Sequence, residues 1–301
     1  MINTQNVYEN PSLGRIGEMY HDERNERVKF FSTDIHSDKG SIDLFVDKGI
    51  IMMESNHATR MTARFFCKGD LDYNNHREAI IPLTGRFAGI DLVFIGFNVW
   101  DRIEDPKTLE AEDHLVIQAR CGLQREQRGG SSEYIIERLD ISKITPDDFC
   151  SLERLYAEAF ETYTTTLDRA AISDMISNSV VYGVRSLSDD QIVSTAVAEI
   201  GVVPTERGDF RICELSEMAT RRDHRGRGLV TMATMVLVDE IYNDTDLIYA
   251  EARACHLPIN RSFHNMGFSY AGRLMKQCLL SGDHEIDESG PYENLNVWYI
   301  T

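Results

Sequence analysis

Lysine is scarce in this sequence: seven lysines stand beside 24 arginines in 301 residues. Against 49 acidic residues, the 31 cations leave a formal charge of −18. That balance excludes broad nucleic-acid binding, which relies on neutralising phosphates. It favours a cationic substrate through long-range attraction, and acid abundance with so little lysine suits a salt-rich cytoplasm. No apolar run reaches the roughly 18 residues of a membrane helix, so no membrane partner is expected. Met1-Ile2-Asn3-Thr4-Gln5 has neither the basic segment nor the apolar core of a signal peptide, and a cytoplasmic location is the expectation. The six cysteines (67, 121, 150, 213, 255 and 278) form no CxxC pair. They read as reduced thiols rather than a disulfide framework or a zinc site. His57, His76 and His114 lack metal-ligand spacing, and no metal is expected.

What is present is a folded composition, 42% hydrophobic and 27% charged, with room for one large domain or two ordinary ones. Residues 1–27 are polar and contain Gly and Pro, and read as a mobile lead-in. Residues 28–132 read as an N-terminal domain, β-rich or α/β, of unassigned role. Its expected strands are Ile50–Glu54, Thr62–Cys67, Ile90–Phe97 and His114–Ala119, rich in β-branched and aromatic residues. Gln124–Ser132, with Arg128-Gly129-Gly130-Ser131-Ser132, is the linker candidate.

Residues 133–301 alternate more regularly. Thr145-Pro146-Asp147-Asp148 is a helix start, with a capping hydroxyl, Pro in the first turn and acids against the dipole. Strands are expected at 133–139, 180–185, 192–202, 210–220, 247–253, 270–280 and 295–300. Helices are expected from 145, over 168–177, over 226–242 and over 258–266. The order predicts an α/β (α+β) domain with a mixed, mostly antiparallel sheet flanked by helices.

One segment carries chemistry. Arg225-Gly226-Arg227-Gly228-Leu229-Val230 lies between a strand ending at Thr220 and a helix running to Tyr242. A glycine-rich turn at a helix start presents unpaired backbone N–H groups, and the helix dipole adds positive potential, which together suit a phosphate or pyrophosphate. The glycines let the backbone approach such a ligand closely.

Upstream, Glu214–Thr220 feeds straight into that turn. Downstream, Leu247–Arg253 is followed by His256, Asn260 and Asn265-Met266-Gly267-Phe268. The combination resembles the GNAT acetyltransferases, whose motif A is strand, R/Q-x-x-G-x-G/A and helix, and whose motif B is a strand and helix closing on Gly-Phe. Glu214-Leu215-Ser216-Glu217-Met218-Ala219-Thr220, the turn itself, Asn260 with Met266-Gly267-Phe268, and Asn296-Val297-Trp298-Tyr299 look like the β-lysine N-acetyltransferase branch. Phe160-Glu161-Thr162-Tyr163 and Asn178-Ser179-Val180-Val181-Tyr182 match it too. The resemblance covers residues 135–300, and the N-terminal part does not match that branch's first domain. Three positions depart from the pattern: Val230 replaces Gly or Ala, His256 replaces a common Asn, and Phe263 replaces the Tyr that protonates the departing thiolate in many relatives.

The resemblance implies acetyl-CoA as cofactor. Met218 and Ala219 would contact the pantetheine arm, and the amides of Arg225, Gly226, Arg227, Gly228, Leu229 and Val230 would hold the pyrophosphate. Arg225 and Arg227 would add charge-assisted contacts, and His256 and Asn260 would also bind the cofactor. It implies direct acetylation of the primary amine of a small molecule, lysine- or β-lysine-like. Protein lysine or N-terminal acetylation, and an acyl-CoA-binding module with little catalysis, are the alternatives. A homodimer is compatible with each.

An aliphatic ammonium, with a pKa near ~10.4, must lose a proton before it attacks, and a carboxylate can both hold it and take that proton. Glu217 is the preferred base and Glu214 the second candidate. Three residues apart on a regular strand they face opposite sides, a parity that a bulge would change. Glu251 reads as an ion-pair partner of Arg253 or as a substrate contact, and Tyr163 as a wall of the amine pocket. Tyr270, Tyr299 or water is left to protonate the thiolate.

Overall fold

The computed structural model describes residues 19–32, 34, 37–68, 76–99, 102–121, 133–160, 167–279 and 291–301. In chain order the elements are β1 (Met19–Asp22), β2 (Arg27–Phe31), α1 (Lys39–Asn56), β3 (Arg60–Cys67), β4 (Arg77–Pro82), β5 (Asp91–Asn98) and α2 (Pro106–Cys121). There follow β6 (Tyr134–Arg138), α3 (Pro146–Ala159), α4 (Arg169–Asn178), β7 (Val180–Ser186), β8 (Gln191–Val203) and β9 (Phe210–Thr220). The last are α5 (Leu229–Ile241), β10 (Leu247–Arg253), α6 (Leu257–Asn265), β11 (Ser269–Leu279) and β12 (Tyr292–Ile300).

From β6 onward the expected α+β layout is present, a mixed sheet with flanking helices. Thr145 and Asp148 close a reciprocal capping box at the start of α3, and Asp168 caps α4. The expected linker, Gln124–Ser132, lies outside the described residues.

Two sequence expectations in the first half fail. Ile50–Glu54 is the end of α1, not a strand, and His114–Ala119 lies inside α2. Both are short runs of β-branched residues that local propensity reads as strands. The helical period emerges only over the full segment: Ile42, Val46, Gly49 and Met53 are the buried positions of α1, and Glu112, Val116 and Ala119 those of α2. The Asp38 carboxylate accepts the Ser41 N–H at 2.7 Å and starts α1. Met19 to Arg27, expected in the lead-in, instead form β1, a short turn and the start of β2. Buried Arg27 bonds Asp22 at 2.8 Å and the Gln277 carbonyl at 3.0 Å. β4 was missed altogether.

All the strands join one sheet, in the order β1-β2-β3-β5-β4-β11-β12-β10-β9-β8-β7-β6. Strands from either side of residue 133 therefore share one hydrogen-bonded ladder, through Gly272 of β11 opposite Ala79 of β4. On one face, Leu229, Ala233 and Leu237 of α5 and Phe263 of α6 pack against Cys213, Leu215, Ile248 and Ala250. On the other, Leu152, Leu155 and Ile172 of α3 and α4 cover Val181, Ile192, Val197 and Ala219. The rest of that second face is covered by the N-terminal half: Phe66, Phe87, Leu92 and Phe94 share a cluster with Phe210, Ile212, Tyr249 and Val297. Phe210 meets Phe66 and Phe87 edge-on at 5.1 and 4.9 Å. Since β3 and β5 are far from β9 in the strand order, the sheet must curl to make these contacts.

The seam at Gly272 is a close backbone approach. With φ at +147°, a Cβ there would stand 2.1 Å from the Glu78 carbonyl oxygen and 2.7 Å from the Ala79 Cα, so only glycine fits. Gly272→Ala is expected to destabilise the protein by about 2–4 kcal/mol, through backbone strain and a clash that no rotamer relieves. Urea unfolding would measure it, and a loss under about 0.5 kcal/mol, the range of ordinary surface changes, would contradict this reading of the seam.

Candidate active site

The site begins where a parallel pair stops. β9 and β10 are in register from Ile212 opposite Leu247 to Leu215 opposite Ala250, and the ladder ends there. β9 runs on to Thr220 and β10 to Arg253, so a gap opens between two strands whose facing edges have no ladder partner. The carbonyls of Glu217 and Ala219 accept from the Thr195 and Ser194 hydroxyls on β8, at 3.1 and 2.7 Å. Strand alternation then turns the Met218 amide and carbonyl toward the gap.

A bulge sits at the mouth of this gap. Val197 lies opposite Ser216 but Thr195 lies opposite Ala219, so β9 carries one extra residue. Glu217 absorbs it with φ at +40°, a conformation that costs a non-glycine residue on the order of 1–3 kcal/mol. The bulge brings the Glu217 carboxyl to the Glu199 carboxyl, within hydrogen-bond reach. Glu199 is the cross-strand partner of Glu214. Without the bulge Glu217 would share the α5 face with Cys213 and Leu215. The parity problem posed by a three-residue spacing is thus resolved in the way a bulge allows, and both predicted carboxylates stand on one face.

Glu199 was missed, because nothing local distinguishes it in a long apolar strand. It accepts from Ser216 Oγ at 2.6 Å. Burial first, then the Glu217 and Glu214 charges, hold its carboxyl well above the usual carboxylate range. Burial and Glu251 raise Glu214 as well, against the pull of Arg64, Lys29 and a hydrogen bond from Tyr249. Buried Tyr249 donates its hydroxyl proton to Glu214. Arg64 of β3 donates to Tyr249 Oη at 2.6 Å and to Glu251 Oε1 at 2.5 Å. Glu251 therefore pairs with the N-terminal half, not with Arg253, which bonds Glu293 at 2.6 and 2.7 Å.

At the far end of β9 the glycine-rich turn enters α5 as expected. Gly226 and Gly228 have φ of +77° and +74°, and open space surrounds the position of a Cβ at each, so conformation rather than crowding selects glycine. Helix geometry leaves the N–H groups of Leu229, Val230 and Thr231 without i−4 acceptors, while Met232 N–H reaches the Gly228 carbonyl at 3.0 Å. The Arg225 N–H is already bonded to the Arg222 carbonyl, which removes it from the expected anion-binding set. The Arg225 side chain returns to the Thr220 carbonyl at 3.1 Å. Arg227 bonds Tyr134 Oη at 2.7 Å, which also contacts His224 Nδ1 at 2.9 Å.

Beyond β10, the expected cofactor residue Asn260 is fully buried and engaged within the chain. Its amide group donates to the Arg253 and His256 carbonyls at 2.9 and 2.8 Å. Its oxygen accepts from Asn296 Nδ2 at 2.9 Å and Trp298 Nε1 at 2.8 Å. It braces β10, α6 and β12 instead of presenting a free amide. His256 is the half-buried cap position of α6. Phe263 is core, 5.3 Å from the Phe268 ring. Tyr270 packs on Trp298 at 5.5 Å, in the cluster that holds Phe263, whereas Tyr299 lies opposite Tyr249 near the carboxylates. Burial raises both phenols. Tyr163 lies outside the described residues. Among the described residues, no group of three or more His, Cys, Asp or Glu is arranged to hold a metal ion, and no helix is long and apolar enough to cross a membrane.

No family model matches the chain. It is similar to the N-acetyltransferase YodP of Bacillus subtilis, with 28% identity over 158 residues, 52% of each sequence. It is likewise similar to the beta-lysine N(6)-acetyltransferase of Methanosarcina mazei, with 28% identity over 154 residues, 50% of this chain and 51% of that protein. The chain spans about half the length of the curated relatives it matches. Among solved structures, the ribosomal-protein-S5-alanine acetyltransferase from Vibrio fischeri aligns at 12% identity and a TM-score of 0.44, over 57% of this chain and 94% of that one. A structure described as the NatC complex bound to Gag peptide and CoA aligns at 15% identity and 0.44, over 56% and 98%.

The raised Glu199 carboxyl has a consequence for stability. A group whose folded pKa lies above its unfolded value stabilises the fold while it keeps its proton. That contribution is full below the unfolded pKa of ~4.3 and is lost as pH rises through the folded value. Glu199→Gln, which cannot ionise, is expected to gain stability relative to the parent between pH 5 and pH 8, by up to about 1.4 kcal/mol per pH unit. Denaturant midpoints at both pH values measure this, and an unchanged difference would contradict a buried proton at Glu199.

Proposed function

We propose that the chain is an acetyl-CoA-dependent N-acetyltransferase that acts by direct transfer on the primary amine of a small molecule. The observation that carries this reading is the β9–β10 gap, with a helix N-terminus at one end and a buried carboxylate cluster at its mouth. The similarity to two curated N-acetyltransferases over about half their length supports it, as does the naming of one of them as acting on beta-lysine.

The residues present fit such a cofactor. The N–H groups of Gly226 to Thr231 and the positive end of α5 suit a pyrophosphate, and the gap edge at Met218 suits an amide-bearing arm. Acetyl-CoA, when bound, supplies a thioester whose C–S bond breaks as the new amide N–C bond forms. Two proton movements are then left to the protein. Glu217 takes the proton of the acceptor ammonium, and Glu199 and Glu214 stand behind it on the same face of the sheet. Tyr270 stands in the Phe263 cluster with its phenol protonated at neutral pH, so it takes over the proton donation for which Phe263 has no hydroxyl. Burial of the cluster makes each of these interactions stronger than it would be in water.

Glu217→Gln is expected to lower kcat by about 10²–10⁴-fold with a smaller change in the KM for acetyl-CoA. Gly228→Val, which forces a β-branched residue to φ of +74°, is expected to weaken acetyl-CoA binding by about tenfold or more. Thiol release with lysine, β-lysine and other free amines, followed over a range of acetyl-CoA concentrations, reads both. No release with any free amine, but release with lysine-containing or N-terminal peptides, would replace the small-molecule acceptor by a protein one. Tight CoA binding without turnover on either panel would leave a binding module.

A further inference from the structure

Among the described residues, Glu26, His57 and Asp190 have positive φ at the end of a short helix, the end of α1 and a turn. The left-handed region is ordinary at such places. Glu217 differs, because it takes φ of +40° inside β9. A side chain there is strained, and the conformation persists only where the surroundings impose it.

Those surroundings are on β8. Thr195 and Ser194 are fully buried, and their hydroxyls donate to the Glu217 and Ala219 carbonyls at 3.1 and 2.7 Å. Thr195 stands at the slip itself: it lies opposite Ala219, while Val197 lies opposite Ser216. The extra residue of a bulge drops out of the backbone ladder, and the Thr195 hydroxyl supplies a donor at that point. The Tyr156 hydroxyl of α3 also lies within hydrogen-bond reach of Thr195. Tyr156 is buried and donates to Met175 Sδ at 3.9 Å, so α3 and β8 together fix the Thr195 side chain.

We propose that Thr195 is a positioning residue for the cofactor: its hydroxyl holds Glu217 in the left-handed conformation and so keeps the Met218 backbone edge turned toward the acetyl-CoA arm. The inference rests on the acetyl-CoA reading of the gap. With the Glu217 carbonyl held against β8, strand alternation points the Met218 amide and carbonyl into the gap. Without that hold, the strain at Glu217 is relieved by rotation of the peptide units on either side of it. The Met218 edge then turns away from the arm. Thr195 thus acts on the cofactor through two residues of β9 and does not touch it.

The test compares parent, Thr195→Val and Thr195→Ser in the full chain, with CoA as the probe in titration calorimetry. Valine keeps the branched shape and lacks the donor. In Thr195→Val, CoA affinity is expected to fall by about tenfold, because apparent affinity drops with the fraction of molecules that hold the competent bulge. Thr195→Ser keeps the hydroxyl and is expected to stay within about twofold of the parent. The backbone carbon chemical shifts of Glu217 in the free protein read its φ and need no ligand. They are expected to move toward strand values in Thr195→Val and to stay in place in Thr195→Ser. Glu217→Gly separates this role from a merely structural hydroxyl, since glycine takes positive φ without strain. Thr195→Val in that background is expected to bind CoA as Glu217→Gly alone does. A further loss there of about tenfold overturns the proposal. So does a folded Thr195→Val with unchanged Glu217 shifts or unchanged affinity. If the parent binds no CoA, the acetyl-CoA reading fails and the shifts alone decide: moved shifts keep Thr195 as the latch of the bulge, and unmoved ones overturn it. Should Thr195→Val not fold, the double variant carries the test. Folding with the affinity of Glu217→Gly supports the proposal, and failure to fold overturns it.

Discussion

Everything at the site follows from a parallel pairing that ends after four residue pairs. As long as β9 and β10 stay in register, their backbones satisfy each other. Beyond Leu215 and Ala250 they separate, and each presents an edge of donors and acceptors to the gap. Such edges are costly when buried without partners, so the separation is stable only because neighbouring groups hold both strands. Ser194 and Thr195 fasten β9 to β8, and Asn260 ties β10 to α6 and β12. The bulge at Glu217 belongs to the same device. It shifts one residue of β9 so that a carboxyl that would face α5 faces the acidic cluster, and it stores backbone strain at the mouth of the gap.

Electrostatics divides the work between the two halves of the chain. Glu199, Glu214, Glu217 and Glu251 converge on one face of the sheet, where burial and mutual repulsion work against full ionisation. The N-terminal half answers with Arg64 and Lys29, which enter because the sheet curls and lays β2 and β3 over β9 and β10. Phe66, Phe87 and Phe94 supply the apolar area that holds this contact together. Glycine at 272 allows the strands of the two halves to approach closely enough to share one ladder.

Local signals carried well wherever a residue's own conformation or capping decides the outcome. Thr145 with Asp148, the glycine-rich turn entering α5, and the alternation from β6 to β12 were legible because each depends on neighbours within a few positions. The same kind of reading failed at Ile50–Glu54 and His114–Ala119, where a β-branched run inside a longer helix misleads. It assigned Asn260 to the cofactor because motif position says nothing of the Asn296 and Trp298 donors that occupy its oxygen. It could pose the parity of Glu214 and Glu217 but not decide it.

By itself, then, the amino-acid sequence determined the order of the C-terminal elements, a glycine-rich helix start and two acidic candidates on one strand. These are set by local backbone preference and short-range periodicity. Only the tertiary structure decided that the β9–β10 ladder ends at Leu215, that the extra residue falls at Glu217, and that Glu199, Tyr249 and Arg64 complete the cluster. Those outcomes depend on strand register and on the curl of a long sheet. Register joins β9 to β10 at residues such as Ile212 and Leu247, and the curl brings Arg64 to Glu251, 187 positions away, so no local pattern announces them.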